Sequence, residues 1–512
     1  MTDDLAGLIA ALPCGDDDLV LVTPSERLSR RGLLARIDAI AAALREAGAG
    51  IGTPVAMVVE QSAPAVATMF AVWAVGGVYV PVNGRLTSGE VAGLLEETPV
   101  AVVVGSPSAH ERLAPGIAQA AIGAVALDPA TWQSGILAPA HPSHPRHDAD
   151  MALVLRTSGT TGKPKPVLLR HRGVLDSLDS SLRKLRGGDG RPRAAGLLRM
   201  SLTPTPLALW AGIYNTIFAL RAGFGVVLLD RFSVDEFVAA VREFRITSTV
   251  LAPAMIAMLA DAEHIADLGP VRHVRSVTSP LSPAVARRFH EKFGVSVLNS
   301  YGQTELGGEV VGWTAEDVRT FGLSKLGSVG RPYDNVDLRI ADADDNPLSA
   351  GEYGEIQVNS PYRMRGYANG DGGAAESERF VDGYLRTGDL GWIDDDGFVW
   401  IRGRVSDMIN RGGLKVFPDE VEETLRRHPR VSDAAVAGVP DERLGEVPHA
   451  WVVCDDDATL GELADWVRET LAPYKVPAGF TRVDAFPRND VGKVLRRELP
   501  RPETSGESWT SR

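Results

Sequence analysis

The chain has 512 residues, of which 44% are hydrophobic and 23% are charged. A single hydrophobic core stops growing near about 250 to 300 residues, so this length predicts at least two domains. The 66 acidic and 53 basic residues give a net charge of -13, which argues against a nucleic-acid partner or a broad anionic-membrane surface. The two cysteines, Cys14 and Cys454, have no paired spacing, so neither a disulfide framework nor a cysteine zinc site is expected.

The N-terminal sequence MTDDLAGLIAALP carries two acidic residues where a secretory signal would carry basic ones, so no export signal is predicted. Residues 61–84 carry no charge, but Pro64, the Gly76-Gly77 pair and Pro81 interrupt the run that a membrane span would need. We interpret this stretch as a helix, a turn and a buried strand. We therefore expect a protein of the reducing cytoplasm with no membrane insertion.

Helical and strand-like patterns alternate along the first part of the chain. The segment from Ser25 to Gly48 is amphipathic and ends at a glycine, and PVAMVV follows it as a buried strand. The same alternation recurs from Val234 to Ala252 and from Ala284 to Asn299. This pattern predicts α/β structure in which helices cover layered sheets.

The sequence changes in character after Lys325, where short strands are separated by glycine and aspartate turns, as in GEYGEIQVNSP and GWIDDDGFVWIRGR. We predict a β-rich portion over about residues 325–404 of an N-terminal domain that spans residues 1–404. A smaller α+β domain is predicted over residues 405–512. Its two helices are indicated by apolar faces formed by Val421 and Leu425 and by Leu463, Trp466, Val467 and Leu471, with Pro473 ending the second helix.

The stretch TSGTTGKPKP, from Thr157 to Pro166, combines glycines, hydroxyls and lysines in a way that suits phosphate binding. It is not a Walker A loop, because only two residues separate Gly159 from Gly162 and Pro164 follows Lys163. Taken alone, such a run also fits a surface turn.

Four further motifs accompany this loop in a fixed order. They are YGQTE (Tyr301 to Glu305), YLRTGDLGWI (Tyr384 to Ile393), GRVSDMINRGGLKVFPDEVE (Gly403 to Glu422) and PRNDVGKVLRREL (Pro487 to Leu499). Together with the loop they resemble the adenylate-forming superfamily, which includes acyl-CoA synthetases, luciferases and the adenylation domains of peptide synthetases. The resemblance covers about residues 25 to 499. It implies a large N-terminal domain of layered α/β sheets with a β-rich subdomain, and a small mobile α+β C-terminal domain.

The resemblance also implies roles for particular residues on the phosphate side of a bound ATP. The β- and γ-phosphates would be surrounded by Lys165 and by the loop residues Thr157, Ser158, Gly159, Thr160, Thr161 and Gly162. Thr304 would contact the α-phosphate, and Glu305 with Thr160 would hold Mg²⁺, which prefers hard oxygen ligands and bridging phosphates.

Further roles concern the nucleoside and the moving domain. Tyr301 would lie against adenine, with Thr278 and Ser279 near the edge of the ring, while Asp389 and Arg404 would reach the ribose hydroxyls. Lys493 would neutralise charge between the carboxylate and the α-phosphorus. Ser406 occupies the hinge position, and Gly413 would line the tunnel for the pantetheine arm of coenzyme A.

The chain departs from the superfamily pattern in its substrate region, where Leu209 stands in place of a common histidine or aromatic residue, and at two places near the nucleotide. The phosphate loop ends Pro164-Lys165-Pro166, where relatives usually have glycine last, and proline removes an N–H donor and restricts the lysine before it. VTSPLS, from Val277 to Ser282, replaces the common Gly-Gly-Ala-Pro-Leu and adds bulk near the nucleotide.

Three functions are compatible with these motifs. We favour a complete acyl-CoA ligase for an apolar aryl, fatty or polycyclic acid, with an acyl site formed by Leu207, Leu209, Trp210 and Ile213. The second is a half-enzyme that receives an acyl-adenylate from a partner adenylating enzyme and only forms the thioester. The third is a non-catalytic adenylate-binding protein. Activation of amino acids is less favoured, because TPTPLALWAG contains no acidic residue to meet an α-amino group.

Overall fold

The computed structural model describes residues 4–119, 122–144, 146–156, 165–186, 198–367, 379–488, 493–502 and 508–510. Elements are numbered in chain order. Within the described residues the α-helices are α1 (Arg30–Glu46), α2 (Ala63–Ala74), α3 (Ser88–Glu97), α4 (Pro107–Gln119), α5 (His171–Arg186), α6 (Trp210–Arg221), α7 (Val234–Glu243), α8 (Pro253–Asp261), α9 (Pro283–Phe293), α10 (Ala315–Phe321), α11 (Pro418–Arg426) and α12 (Leu460–Thr470).

The largest sheet has eight strands and carries the residues on both sides of the predicted phosphate loop. From one edge to the other the strands are β19 (Gly366–Tyr367), β9 (Pro166–Arg170), β8 (Met151–Arg156), β4 (Val78–Asn83), β3 (Pro54–Val59), β5 (Val102–Gly105), β6 (Gly123–Leu127) and β7 (Ser134–Ala138). The central strands are parallel. Parallel strands are covered on both faces, which explains why β3 is apolar and buried at every position.

Two further sheets complete the α/β layers. One consists of β10 (Met200–Thr203), β11 (Gly225–Leu228), β1 (Leu19–Val22) and β2 (Arg27–Ser29). The other consists of β12 (Ser248–Leu251), β13 (His273–Ser276), β14 (Ser296–Gln303), β15 (Gly308–Gly312) and β16 (Arg331–Pro332). Helices α1, α2 and α6 pack into one core with the eight-stranded sheet and the sheet of β10, β11, β1 and β2. Helices α7, α8 and α9 pack into another core. The predicted layered α/β class is confirmed.

Helix α1 begins later than the sequence pattern predicts. Ser29 accepts a hydrogen bond from the amide of Gly32 and so caps the helix, and the residues just before it form β2 instead. The start predicted at Ser25 is therefore wrong by five residues, because amphipathic spacing cannot distinguish a short strand from the first helical turn.

Helix α2 is buried at every residue from Ala63 to Trp73, and only its last residue, Ala74, is exposed. A helix that is apolar on every side belongs in a core, which explains the uncharged run of residues 61–84 and confirms its interpretation as helix, turn and strand. No helix among the described residues combines the length and the apolarity that crossing a membrane requires.

The β-rich portion forms a sheet of its own. Its strands are β17 (Asp337–Ala341), β18 (Gly354–Asn359), β21 (Tyr384–Ile393) and β20 (Phe380–Val381), with β22 (Val399–Arg404) paired to β21. The sheet begins at Asp337, and the residues around Lys325 form a short 3₁₀ turn. A β-rich portion is thus present, but the first strand of its sheet begins later than the predicted start near residue 325.

The C-terminal part has a separate sheet and a separate core. Its strands are β24 (Leu414–Val416), β23 (Ile409–Arg411), β26 (Gly445–Cys454), β27 (Gly479–Arg482) and β28 (Ser508–Thr510), with β25 (Val431–Asp441) paired to β26. Four of the predicted apolar residues are in this core: Val421, Leu425, Leu463 and Val467. Trp466 is half-buried and donates its indole N–H to the carbonyl of Thr424, 2.9 Å away. The domain boundary at residue 404 stays a prediction.

Candidate active site

A cluster of polar side chains surrounds the carboxylate of Asp389. The register of β21 and β22 places Asp389 opposite Arg404, whose Nε lies 2.9 Å from Oδ1. The hydroxyl of Tyr301 and the amide nitrogen of Gln303 both donate to Oδ2 at 2.7 Å. Three residues predicted for nucleoside binding are thereby brought together. Gln303 was missed by the sequence analysis, although it stands inside the YGQTE motif.

Burial affects the pKa of Tyr301 in this cluster. Asp389 is only 5% exposed and Tyr301 only 8% exposed. Burial, and then the nearby carboxylate of Asp389, raise the pKa of Tyr301 well above its ordinary value. The phenol therefore stays neutral and acts as a donor to the carboxylate.

The turn after β14 places Thr304 and Glu305. These residues form a short 3₁₀ turn that ends at Gly307, which has a φ of 73°. A Cβ at Gly307 would lie 2.2 Å from the carbonyl oxygen of Tyr362, so only glycine fits this position. The turn leaves the side chain of Thr304 half-exposed and that of Glu305 buried.

The carboxylate of Glu305 is paired with Arg379, a residue to which the sequence analysis assigned no role. Nη1 of Arg379 lies 3.2 Å from Oε1 of Glu305, and the same guanidinium donates to the hydroxyl of Tyr367. Burial is the largest single effect and acts to lower the pKa of Arg379, but the charge interactions and hydrogen bonds with Glu305 and Tyr367 together outweigh it, and the pKa is raised. Arg379 stands outside the recognised motifs, so no local pattern pointed to it.

Lys165 lies on the other side of Tyr367. Its Nζ is 5.1 Å from the centre of the Tyr367 ring, and Tyr367 pairs with Val167 through strands β19 and β9. The other predicted phosphate-loop residues, Thr157, Ser158, Gly159, Thr160, Thr161 and Gly162, lie outside the described residues. In the described part of the site, two cations, Lys165 and Arg379, thus flank one tyrosine next to Glu305.

Pro166 is the first residue of β9 and pairs with Arg156 at the end of β8. A proline is tolerated at the first position of a strand, because its missing N–H interrupts only the start of the ladder. Lys165 precedes this proline and is exposed to solvent. The proline that departs from the superfamily pattern therefore belongs to the strand that follows the loop.

Lys493 reaches this site from the C-terminal part of the chain. Burial and then the positive charge of Arg404 lower the pKa of Lys493, while the carboxylates of Asp407 and Asp389 oppose that shift. Lys493 is thus close enough to the Asp389 cluster to sense its charge. This is the side of the site on which the resemblance places the catalytic lysine.

Contacts between the two parts of the chain accompany this placement of Lys493. The hydroxyl of Ser282, at the start of α9, donates to Oε2 of Glu423 on α11 at 2.8 Å. The rings of Tyr353 and Phe417 lie 5.1 Å apart. Ser406, the predicted hinge residue, is exposed in the short turn that connects β22 with β23.

Gly413 lies in the turn between β23 and β24, with a φ of 91°. A Cβ at this position would meet no atom within 4 Å, so the space in front of Gly413 is open in this arrangement of the chain. The predicted contact with a pantetheine arm stays a prediction.

Thr278 and Ser279 follow the end of β13. Thr278 is exposed and has a φ of 80°, a left-handed conformation that β-branched residues strongly disfavour. Among the described residues, Thr278 and Ser279 form no hydrogen bond or ion pair with the Asp389 cluster, and their role at the adenine edge stays a prediction.

The four predicted acyl-site residues lie at the start of α6 and just before it. Leu207 and Ile213 are buried in the main core, whereas Leu209 and Trp210 are half-buried. The Trp210 ring stands edge-on to Tyr214 at 5.3 Å. Leu209 and Trp210 thus keep part of their surface accessible, whereas Leu207 and Ile213 do not, and the acyl site stays a prediction.

The fit of Mg²⁺ to this site follows from its donors. Among the described residues, no three His, Cys, Asp or Glu side chains converge as a metal cage. Glu305 supplies one carboxylate beside the half-exposed hydroxyl of Thr304. Mg²⁺ is commonly held by one or two carboxylates together with substrate phosphates, so these donors fit the ion; Thr160 lies outside the described residues.

The fold and the site together define an adenylate-forming enzyme. The fold combines a layered α/β part, a β-rich sheet and a small C-terminal α+β part, and the site brings Tyr301 and Arg404 to Asp389, with Lys493 within electrostatic range. Comparison with known proteins supports this class directly. The AMP-binding enzyme family matches residues 12–368, and the AMP-binding enzyme C-terminal domain matches residues 420–493. The chain therefore belongs to the AMP-binding enzyme family of the adenylate-forming superfamily.

Individual relatives cover nearly the whole chain. An indoleacetate–CoA ligase from Aromatoleum aromaticum is 32% identical over 93% of this chain and 93% of its own length. A fatty acid–acyl-carrier-protein ligase, ScoC, from Streptomyces coeruleorubidus is 32% identical over 90% of this chain and 88% of its own. ATP-bound MatB from Rhodopseudomonas palustris matches with a TM-score of 0.86 and 27% identity over 97% of this chain and 98% of that one. The predicted enzyme class, an AMP-forming acid–thiol ligase, is confirmed.

Proposed function

We propose that the protein is an acyl-CoA ligase that activates an apolar carboxylic acid with ATP and Mg²⁺ and transfers the acyl group to coenzyme A. The observation that carries this proposal is the buried cluster in which Tyr301, Gln303 and Arg404 hold the carboxylate of Asp389, with Lys493 within electrostatic range of Asp389 and Arg404. A lysine from the C-terminal part near Asp389, the carboxylate predicted to bind the ribose, is the arrangement that the first half-reaction requires.

In the first half-reaction the carboxylate of the acid attacks the α-phosphorus, and pyrophosphate leaves. The attacking group and the triphosphate are both negative, so the site must supply cations and donors. Lys493 would stabilise the charge that develops between them, with Thr304 and Lys165 acting on the phosphates. Glu305 would hold Mg²⁺, which when bound neutralises phosphate charge and orients the leaving group.

In the second half-reaction the thiol of coenzyme A attacks the acyl carbonyl, and AMP leaves. The C-terminal part would turn about Ser406, where a few linker residues can absorb the change in dihedral angles. Gly413 would then face the pantetheine arm, and the absence of a side chain there keeps its path open.

The acid is proposed to be apolar. Leu209 and Trp210 offer half-buried apolar surface, with buried Leu207 and Ile213 behind them. The similarity to an indoleacetate–CoA ligase and to a fatty acid ligase supports an aryl or fatty acid. Because the second of these relatives is named as an acyl-carrier-protein ligase, a carrier-protein thiol is the alternative acceptor to test.

A second candidate function follows from Pro166. A half-enzyme that only forms thioesters from supplied acyl-adenylates would not need a tight grip on the β- and γ-phosphates, and Pro166 removes one N–H donor after the loop. The position of Pro166 at the start of β9 supports the complete enzyme instead, because the strand accommodates the proline.

A two-armed mass-spectrometric assay tests the proposal. One arm contains apolar carboxylic acids, ATP, Mg²⁺ and coenzyme A, and the other contains the corresponding synthetic acyl-adenylates and coenzyme A. We expect acyl-CoA in both arms. We also expect Lys493→Ala to lower the rate of acyl-CoA formation in the first arm by about 10²- to 10³-fold and to leave the rate in the second arm unchanged. The reason is that the lysine acts on charge that develops only during adenylation.

Other outcomes identify the alternatives. Product from the adenylate arm alone would establish the half-enzyme. No product in either arm, with AMP still bound, would indicate a non-catalytic binder. Replacing coenzyme A by a holo-acyl-carrier protein, or the acids by free amino acids, tests the remaining acceptor and substrate classes.

A further inference from the structure

Arg379 is held at the phosphate side of the site by two neighbouring strands. It stands one residue before β20, and its carbonyl accepts a hydrogen bond from the amide of Arg386 on β21 at 2.8 Å. The hairpin of β20 and β21 thus fixes its backbone, while its side chain reaches Glu305 and the hydroxyl of Tyr367.

Glu305 needs a cation at this position whether or not a nucleotide is bound. Its side chain is only 11% exposed, and a buried carboxylate without a partner is strongly destabilising. Arg379, 27% exposed, supplies that charge through one oxygen of the carboxylate. Mg²⁺ arriving with ATP would compete for the same carboxylate, which would release the guanidinium for other acceptors.

The surroundings indicate which acceptors these are. Tyr367 pairs with Val167, two residues beyond Lys165, and the amide of Met364 donates to the carbonyl of Glu305 at 2.8 Å. The guanidinium therefore lies between the strand that follows the predicted phosphate loop and the predicted metal carboxylate. A guanidinium matches phosphate oxygens with two parallel N–H donors, which would offset the N–H that Pro166 lacks.

We propose that Arg379 is a triphosphate-binding residue that neutralises Glu305 until MgATP binds and then contacts the β- and γ-phosphates. The inference rests on the proposed function, since only an enzyme that carries out the first half-reaction has to hold a triphosphate.

Equilibrium binding of ATP and AMP, each with Mg²⁺, tests the proposal on the full-length protein. AMP lacks the β- and γ-phosphates and serves as the internal reference. We expect Arg379→Gln to weaken ATP binding by about 10- to 100-fold and to leave AMP binding unchanged. Arg379→Lys keeps the charge but loses the paired donors, so it should show a smaller loss for ATP alone.

Arg331 offers a matched control. Its Nη1 lies 2.9 Å from Oδ1 of buried Asp317, with side-chain exposures of 35% and 5%, so it forms a similar half-buried ion pair. Arg331→Gln should change the affinity for neither nucleotide. A second readout is thioester formation from a supplied acyl-adenylate, which Arg379→Gln should leave intact.

Each alternative has its own signature. Equal weakening of ATP and AMP in Arg379→Gln and Arg379→Lys would reduce Arg379 to a structural partner of Glu305 and overturn the proposal. Tighter ATP binding in either variant would also overturn it, by making Arg379 an obstacle to the metal. Wild-type protein that binds AMP but not ATP would contradict the proposed function itself. Unchanged ATP binding in both variants would contradict only the inference about Arg379. If Arg379→Gln does not fold, Arg379→Lys alone decides between these outcomes.

Discussion

Single residues in this site depend on neighbours that are distant in the chain. Asp389 accepts hydrogen bonds from Tyr301 and Gln303 on β14 and forms an ion pair with Arg404 on β22. Such a buried carboxylate is stable only because every donor is in place. Thr278 is the contrasting case, since a single residue there adopts a strained backbone next to the predicted nucleotide edge.

Thr278→Gly should stabilise the fold by about 1 kcal/mol. A left-handed conformation is unfavourable for a β-branched residue by roughly 1–2 kcal/mol, and the larger entropy of unfolded glycine removes part of that gain. The measurement is the shift of the urea midpoint.

Ser279→Gly is the matched control for that substitution. Ser279 is not among the described residues with a positive φ, so glycine at this position should lower the urea midpoint. A lower midpoint for Thr278→Gly as well would contradict the assignment of strain.

Pairs of strands decide the chemistry of groups that no motif marks. His449 lies on β26, is 4% exposed, and places Nε2 2.9 Å from Oγ1 of Thr481 on the adjacent strand β27. Burial lowers the pKa of His449 to about 4. The imidazole is therefore neutral within the folded sheet across the physiological range.

The stability of the C-terminal sheet should fall as the pH drops from about 6.5 to about 4. An unfolded histidine has a pKa near 6.5, so in this window the unfolded chain binds a proton that the folded chain does not, and up to about 3 kcal/mol is lost. Hydrogen–deuterium exchange of β25, β26 and β27 measures this loss. His449→Gln should flatten the pH dependence of their exchange, and identical profiles for both proteins would refute the assignment.

The two parts of the whole molecule meet in one particular arrangement. Ser282 contacts Glu423, Tyr353 packs against Phe417, and Lys493 lies within electrostatic range of the Asp389 cluster. These contacts belong to the same arrangement. Weakening the hydrogen bond between Ser282 and Glu423 should therefore lower the fraction of molecules in which Lys493 occupies this position.

Glu423→Ala should slow the first half-reaction by about 3- to 10-fold. The expected loss corresponds to roughly 1 kcal/mol, in the range of a single partly exposed hydrogen bond to a charged group. Formation of acyl-CoA from a supplied acyl-adenylate should not slow, because in the proposed mechanism the C-terminal part leaves this arrangement for that step.

Arg427→Ala is the control for the Glu423 variant. Arg427 pairs with Glu423 at 3.6 Å along the same helix but does not touch Ser282 in the described structure, so its removal should leave both half-reactions unchanged. An equal loss of both half-reactions in Glu423→Ala would point to unfolding of α11 rather than to a shift between arrangements.

Local patterns determined much of this protein from the sequence alone. Apolar periodicity indicated the α/β layers and the two helices of the C-terminal part, and the motifs around Tyr301, Asp389 and Lys493 indicated the family. Such features are local because a helix face, a turn or a motif is defined by neighbouring residues. The start of α1 was misplaced because the capping by Ser29 and the pairing of β2 compete with amphipathic spacing.

Only the tertiary structure decided which distant groups meet. Arg379, just before β20, reaches Glu305, just after β14, and Gln303 on β14 reaches Asp389 on β21, so both contacts join two different sheets. The environment of His449 depends in the same way on the pairing of β26 with β27. Register and packing are set by the burial of the whole chain, and one shifted position would turn each side chain to the opposite face of its sheet. For this physical reason the sequence identified the enzyme family, while the position of Arg379 beside Glu305 emerged only from the folded chain.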